Sequence, residues 1–311
     1  MDVDTGAILA MSDKPDFDLN NSRVISEYTD TSELALLTPG TTEYSEKYSE
    51  LLFRQWNSFC LTSNYEPGST FKIFTLAAAL EEGIATEKTG YSCNSSIRIA
   101  DSVYHCASHK AHGSQTLQEG LMNSCNPFFI KIGQKLGAEK FYEYFEAFGF
   151  TEKTGIDLPG EARGMIPNAE YYTRHYGNYW RAVTVISISI GQGEVTLTPL
   201  QIANLSATIA NRGTFITPHI VKEIKGDTLP EQYIEPRNTM AERKAYEDVV
   251  KGMRQAVLDG TCRAADIPGI EVCGKTGTAQ NKGKDHSAFI GFAPMNNPKI
   301  AVAVYVENGG F

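Results

Sequence analysis

The strand-like segments of this chain gather at its two ends, and helical patterns fill the stretch between them. Met1-Asp2-Val3-Asp4-Thr5-Gly6-Ala7-Ile8-Leu9-Ala10-Met11 reads as a hairpin, with Asp4-Thr5-Gly6 as its turn. Some 260 residues later come Ile270–Ala279, Ser287–Ala293 and Ile300–Glu307, the last two joined by the turn Pro294-Met295-Asn296-Asn297-Pro298. Strands that far apart pair only if the ends of the chain meet. The pattern predicts an α+β fold in one domain over 1–311: an antiparallel sheet of about five strands, drawn from 1–11 and 268–308, covered by helices. The part between, 45–265, reads as a mostly helical, loop-rich subdomain.

Within that middle, residues 12–66 are polar, with one helix near Ser45–Phe53. A sharp turn at Glu66-Pro67-Gly68-Ser69 opens the apolar helix Thr70–Leu80, stopped by Gly83. Tyr91–Cys106 alternates like a small hairpin. Helices follow at Thr116–Met122, Asn126–Leu136 and Phe141–Phe148, then a loop-rich stretch over 151–180, then Pro199–Asn211 and Met240–Leu258.

With 28 basic against 37 acidic residues, the net charge of −9 argues against a nucleic-acid footprint. The chain has no apolar run of membrane-spanning length and no basic-then-apolar leader at Met1. It opens inside a strand, so an upstream segment is expected, with room there for a membrane anchor.

Three short elements carry chemistry. In Ser69-Thr70-Phe71-Lys72 the serine and lysine share one helix face. A serine hydroxyl needs a nearby base, and a lysine shielded from water serves as one once its pKa falls. The helix start adds partial positive charge where an oxyanion would form. Alone, such a pair is usually a helix cap and a solvated lysine; the Pro-Gly turn before it and the apolar helix after it argue otherwise. In Ser124-Cys125-Asn126 a hydroxyl and an amide stand two residues apart between two helices. They suit proton relay and peptide holding, although Asn before Pro127 is also an ordinary helix break. In Lys275-Thr276-Gly277-Thr278 a lysine and two hydroxyls suit a substrate carboxylate. Gly277 lets a ligand backbone come close, and the Thr278 N–H suits a reacting carbonyl; the bland reading is a glycine-marked edge strand.

In this order the three elements are the motif set of penicillin-binding proteins and serine β-lactamases. The chain resembles class B penicillin-binding proteins along nearly its whole length. Thr5–Met11, Tyr65–Lys72, Thr154–Glu161, Gly191-Gln192-Gly193 with Thr198-Pro199-Leu200-Gln201, and Gly274–Gln280 all look like that family. The first half looks like sporulation or division members, whereas His286–Pro294 and Val306–Gly310 look more like elongation members.

The resemblance implies the penicillin-binding fold and a D,D-transpeptidase in which Ser69 attacks the D-Ala-D-Ala carbonyl of a peptidoglycan stem peptide. Lys72 is then the base, Ser124 the relay and Asn126 the donor-peptide clamp. Lys275, Thr276 and Thr278 hold the carboxylate, and the amides of Ser69 and Thr278 form the oxyanion hole. β-Lactams would trap Ser69, and a membrane-embedded glycosyltransferase is the implied partner. The site would face outside the cytoplasmic membrane. The family also carries a pedestal domain and anchor before this region, and a helix over the sheet after it; neither lies in this chain, which stops at Phe311. A serine β-lactamase, a D,D-carboxypeptidase and a non-catalytic β-lactam sensor are the competing functions. Against the first, no base dedicated to a deacylating water is evident.

Some elongation-type members hold zinc in the region between the first two motifs. Here Cys93, Cys106, His112 and Cys125 stand there, a donor set suited to tetrahedral zinc, with Cys replacing Asp at the first two places. His109 is an alternative ligand. A Cys93–Cys106 disulfide and free buried thiols are the other readings. Such a zinc would be structural, and the chemistry itself calls for no cofactor.

Overall fold

A computed structural model describes residues 1–107, 109–177, 180–280 and 283–310. The fold is α+β. Its largest sheet is antiparallel, with strands β7 (Cys273–Ala279), β8 (His286–Ala293) and β9 (Ile300–Val306) adjacent in that order. Lys275 sits opposite Ile290 and Thr278 opposite Ser287, so β7 is an edge strand.

The N-terminal hairpin contributes less than its sequence suggests. Asp2 N–H reaches Ala7 O at 2.8 Å, which closes the turn, but the only bridge to the sheet among the described residues is Asp2 to Ile300. Ala301 N–H donates to Met1 O at 2.9 Å and Val3 N–H to Lys299 O at 3.0 Å. Beyond the turn, Ala7 bridges His219 instead of continuing a strand in the main sheet. The expected five strands are thus three full strands with a short pairing at the β9 edge.

Helices α1 (Thr42–Trp56), α2 (Phe59–Thr62) and α3 (Lys72–Glu81) precede two small hairpin-like pairings. In these, β1 (Tyr91–Cys93) pairs with β4 (Gly113–Gln115), and β2 (Ser96–Ile99) with β3 (Ser102–His105). Next come α4 (Leu117–Met122), with a Thr116–Glu119 capping box, and α5 (Asn126–Ala147). Gly137 breaks α5 at φ 79°, which agrees with the two separate helices expected on either side of it. The 151–180 stretch is not all loop: α6 (Ala169–Tyr176) forms, capped by the Asn168 side chain, and α7 (Trp180–Ile188) comes after it. Helix α8 (Pro199–Ala210) leads to the short pair β5 (Thr214–Phe215) and β6 (Arg237–Asn238), then to α9 (Arg243–Asp259).

The core sits around α3, which is buried from Lys72 to Ala79. Phe71, just before the helix, and Phe74 within it pack on Phe145, with ring centroids 5.8 and 5.2 Å away. A helix apolar all round must be central rather than a surface element. Its first turn is therefore held inside the protein, and that fixes where Ser69 and Lys72 stand. Among the described residues no helix is long and apolar enough to cross a membrane.

Candidate active site and thiol cluster

The turn Pro67-Gly68 feeds one 3-10 turn, Gly68–Phe71, that runs straight into α3. Ser69 is half-buried there, among backbone N–H groups that lack intrahelical partners. Two other backbones clamp the turn. Gly68 N–H donates to Gly191 O at 2.8 Å. On the other side, a Cβ on Gly68 would come within 2.5 Å of Thr278 O and 3.2 Å of Thr278 N. Residue 68 has φ 54°, so glycine suits both its conformation and its crowding.

The same contact explains Gly277 differently from the sequence reading. A Cβ there would meet Thr70 Cγ2 at 2.9 Å and Pro67 O at 3.0 Å. The side of the strand assigned to an approaching ligand is filled by the protein's own Ser69 turn. The glycine brings β7 onto that turn, and the Thr278 N–H stands beside it as a consequence.

Lys72 and Lys275 are both fully buried. Their side chains converge on Ser124 Oγ, Lys72 Nζ at 3.2 Å and Lys275 Nζ at 2.9 Å. Lys72 also donates to Ser124 O at 2.8 Å and Asn126 Oδ1 at 2.5 Å, with Phe129 forming an aromatic wall 5.5 Å from Nζ. Burial pushes the Lys72 ammonium well below the ordinary lysine range, and the nearby Lys275 charge lowers it further. Burial also lowers Lys275, to about 8, partly offset by Cys262.

Ser69 Oγ makes no hydrogen bond among the described residues, so the helix pair is juxtaposed without a direct bond. Both ends of the Asn126 amide are occupied, since Nδ2 donates to His105 O at 2.8 Å. In this state Asn126 therefore holds Lys72 and the β3 end. Thr276 and Thr278 are half-buried and alternate with Lys275 and Gly277; the Lys275 stem leaves the other face of this edge strand, but its Nζ curls back to donate to Thr276 O at 2.8 Å. Ser124 has φ 51°, unusual for a residue with a Cβ and concentrated at functional sites.

That strained loop is tied to a second cluster. The Sγ atoms of Cys93 and Cys106 lie 3.6 Å apart, those of Cys106 and Cys125 3.8 Å, and His112 Nδ1 is 3.6 Å from Cys106 Sγ. All four ligand atoms fall within 4.8 Å of one another. The six cysteines are unbonded, so the disulfide reading for Cys93–Cys106 is not what the structure holds. His109 is not in the cluster; its ring packs against His105, with centroids 4.8 Å apart. The hydrogen bond from Cys106 lowers the Cys125 thiol, favouring one thiolate, and the same contact pushes Cys106 up. Cys125 separates Ser124 from Asn126 in the chain, so anything that anchors its sulfur anchors both.

Sequence reasoning missed Gly191 as a structural partner of the Ser69 turn. Its Gly-Gln-Gly signal was visible, but only the fold shows which backbone it meets. It also missed Thr261, whose hydroxyl accepts from Thr276 Oγ1 at 2.9 Å and which no motif marks.

Comparison with known proteins gives the family. The family model for the penicillin binding protein transpeptidase domain matches residues 1–310. The chain is 36% identical to stage V sporulation protein D of Bacillus subtilis, over 99% of this chain and 44% of that protein. It is 32% identical to the peptidoglycan D,D-transpeptidase MrdA of Acinetobacter baumannii, over 99% of this chain and 47% of the relative. It thus spans about half the length of these curated relatives. Among solved structures, Pseudomonas aeruginosa PBP2 in complex with WCK 5153 superposes with TM-score 0.83 at 30% identity, covering 99% of this chain and 68% of that one. The imipenem acyl-enzyme complex of penicillin-binding protein A from M. tuberculosis gives 0.79 at 27%, covering 100% and 68%. With a family match over nearly every residue and the lysine–serine–lysine arrangement beside Ser69, the chain belongs to the penicillin-binding protein transpeptidase domain family.

Proposed function

We propose that residues 1–311 form one peptidoglycan D,D-transpeptidase unit that passes an acyl group through Ser69. The observation that carries this reading is the Ser124 hydroxyl held between two fully buried lysines, at 3.2 and 2.9 Å. Two ammonium groups this close and this dry repel each other, so one is driven neutral. Lys72, the more depressed, is the base; Lys275 keeps its charge and anchors the substrate carboxylate with Thr276 and Thr278.

Ser69 Oγ bonds to the carbonyl carbon of the penultimate D-alanine, and its proton passes to Lys72 Nζ. The amides of Ser69 and Thr278 hold the oxyanion. The peptide C–N bond then breaks, and the departing D-alanine takes its proton through Ser124. An acceptor amine attacks the ester next, releasing the cross-linked product and returning a proton to Ser69. A β-lactam enters as the donor does, but its leaving group stays tethered, so the ester persists. Asn126 orients the donor peptide once substrate displaces one of its present partners.

The test is intact mass after incubation with benzylpenicillin. A gain of one whole penicillin, stable over hours, is expected. Loss of the adduct within seconds, with penicilloate accumulating, would identify a β-lactamase. No adduct on folded protein would remove Ser69 as nucleophile. Turnover of stem-peptide substrates separates a transpeptidase from a sensor that only acylates.

The two lysines give the rate a pH profile. Acylation by benzylpenicillin should rise as Lys72 loses its proton, then fall as pH passes about 8 and Lys275 loses the charge that holds the carboxylate. Stability should move the other way. Between about 8 and the ordinary 10.5, unfolded Lys275 binds more protons than folded, so stability rises with pH over that window. Stopped-flow acylation and urea melts at pH 7 and 9.5 check both signs; a rate that still climbs above pH 9 would exclude a charged Lys275 from binding.

The thiol cluster fits a structural zinc held by Cys93, Cys106, His112 and Cys125. Zinc–sulfur bonds of about 2.3 Å set tetrahedral sulfur separations of about 3.8 Å, and the observed 3.6 and 3.8 Å agree. Bound there, the metal supplies rigidity and no chemistry. Purified protein should contain one zinc per chain by elemental analysis. Its chelation, or Cys93→Ser, should lower Tm by about 5–10 °C and slow acylation. Metal-free protein with unchanged Tm would refute the assignment.

In the full-length protein we place the site on the outer face of the cytoplasmic membrane, carried by an anchor outside this chain and paired with a membrane-embedded glycosyltransferase.

A further inference from the structure

Just past α9 the chain makes a close turn, Gly260-Thr261. A Cβ on Gly260 would come within 2.6 Å of Met122 O, and Thr261 N–H points to that oxygen at 3.4 Å. The turn is thus seated against the end of α4, two residues from Ser124. Cys262 N–H returns to Ala256 O at 2.9 Å and its side chain is buried, which pins the turn from behind. In front, Thr276 Oγ1 donates to Thr261 Oγ1 at 2.9 Å. Thr261 is exposed to solvent and Thr276 half-buried. Three hydroxyls and the Lys275 ammonium therefore gather at one end of β7: Ser124 on Lys275, and Thr276 on Thr261.

A hydroxyl has one proton. Thr276 spends its proton on Thr261, yet a carboxylate accepts only. To bind one, Thr276 must turn its proton outward, and its oxygen then becomes free to accept. Thr261 can supply that bond: among the described residues its hydroxyl's one other hydrogen-bond contact besides Thr276 is Cys262 Sγ, at 3.8 Å, a weak acceptor. We infer that Thr261 is a positioning residue for carboxylate recognition, holding the Thr276 hydroxyl in place before binding and donating to it once Thr276 turns to the substrate. A donor bonded behind Thr276 polarises the bond Thr276 makes in front. The inference rests on the reading of β7 as the carboxylate-binding edge beside Ser69.

Benzylpenicillin and its methyl ester share everything but the free carboxylate, so they separate this role from a structural one. Acylation of the whole chain is followed by intact mass against ligand concentration, giving an apparent dissociation constant and a limiting rate for each. Thr261→Val should weaken benzylpenicillin binding about tenfold. The limiting rate, and both constants for the ester, should stay within about twofold, and Thr261→Ser should recover wild-type behaviour. Thr261→Ala, which removes the hydroxyl without adding a branch, should repeat the valine result. Equal slowing with acid and ester would mean a structural role and overturn the inference, as would no change with either. A wild-type protein that forms no adduct overturns the transpeptidase reading itself, and one that acylates equally with acid and ester overturns the reading of β7 as the carboxylate-binding edge, so the failures are distinguishable.

Discussion

Ser69→Ala should melt within about 1 °C of the parent protein and acylate at least about 10⁴-fold more slowly. The two halves of that result have separate causes. Ser69 Oγ makes no hydrogen bond among the described residues, so its removal breaks nothing that holds the fold. The turn is kept by backbone contacts that alanine preserves: Gly68 N–H on Gly191 O, and Thr70 Oγ1 on Pro67 O at 2.6 Å. Chemistry fares otherwise. Alanine leaves no oxygen at the start of α3 to attack with, and the Ser124 hydroxyl, held between the two lysines, belongs to a different loop. Thermal melts beside benzylpenicillin intact-mass kinetics read both halves. Adduct formation at the parental rate in the alanine variant would place the nucleophile elsewhere.

Gly191→Ala should be strongly damaging to both stability and acylation. The residue has φ 75°, and a Cβ would fall 2.1 Å from Gly68 O and 2.7 Å from Phe71 Cβ. The first obstacle is backbone and the second is the root of a fully buried side chain, so neither can swing aside. The cost should exceed about 3 kcal/mol, from overpacking added to left-handed strain, and Tm should drop by roughly 6 °C or more. Protein that still folds must shift the Gly68 turn, so its acylation by benzylpenicillin should slow as well. Gly83→Ala is the control: φ is 65° but nothing lies within 4 Å, so only the conformational term applies, about 1 kcal/mol. Equal losses at the two sites would show that the contact at Gly68 is not tight.

The placement of the motif residues was legible in the sequence where local periodicity sets it. Ser69 and Lys72 are related by helix periodicity, and Lys275, Thr276 and Thr278 by strand alternation, both local rules. The interruption between Leu136 and Phe141 and the start of α8 at Pro199 were likewise local. What escaped depends on distant partners. Met1–Met11 alternates well enough, but whether residues 8–11 pair is decided by what reaches them, and among the described residues the pairing to His219 ends at Ile8, whose N–H donates to His219 O at 2.7 Å. Helix α6 (Ala-Glu-Tyr-Tyr-Thr-Arg-His-Tyr) is polar and aromatic on most faces, so it lacked an apolar stripe to give it away. Gly277 was noticed, but which object needed the space was not readable from β7 alone. Thr261 carries no local signal, because its meaning comes from a hydroxyl 15 residues further along the chain.

The pairing of residues 1–3 with 299–301 also sets the order in which this protein can be built. A chain emerging from a ribosome exposes Ser69 and its helix long before Thr278 exists to press on Gly68. Until β7–β9 are made, the first residues have no edge to join and the Ser69 turn has only one of its two clamps. Contacts spanning nearly the full sequence make folding slow and leave the apolar α3 region waiting for cover. A chain cut short before Cys273 would carry Ser69 without the strand that presses on its turn, so on the proposed reading an incomplete copy lacks a finished site.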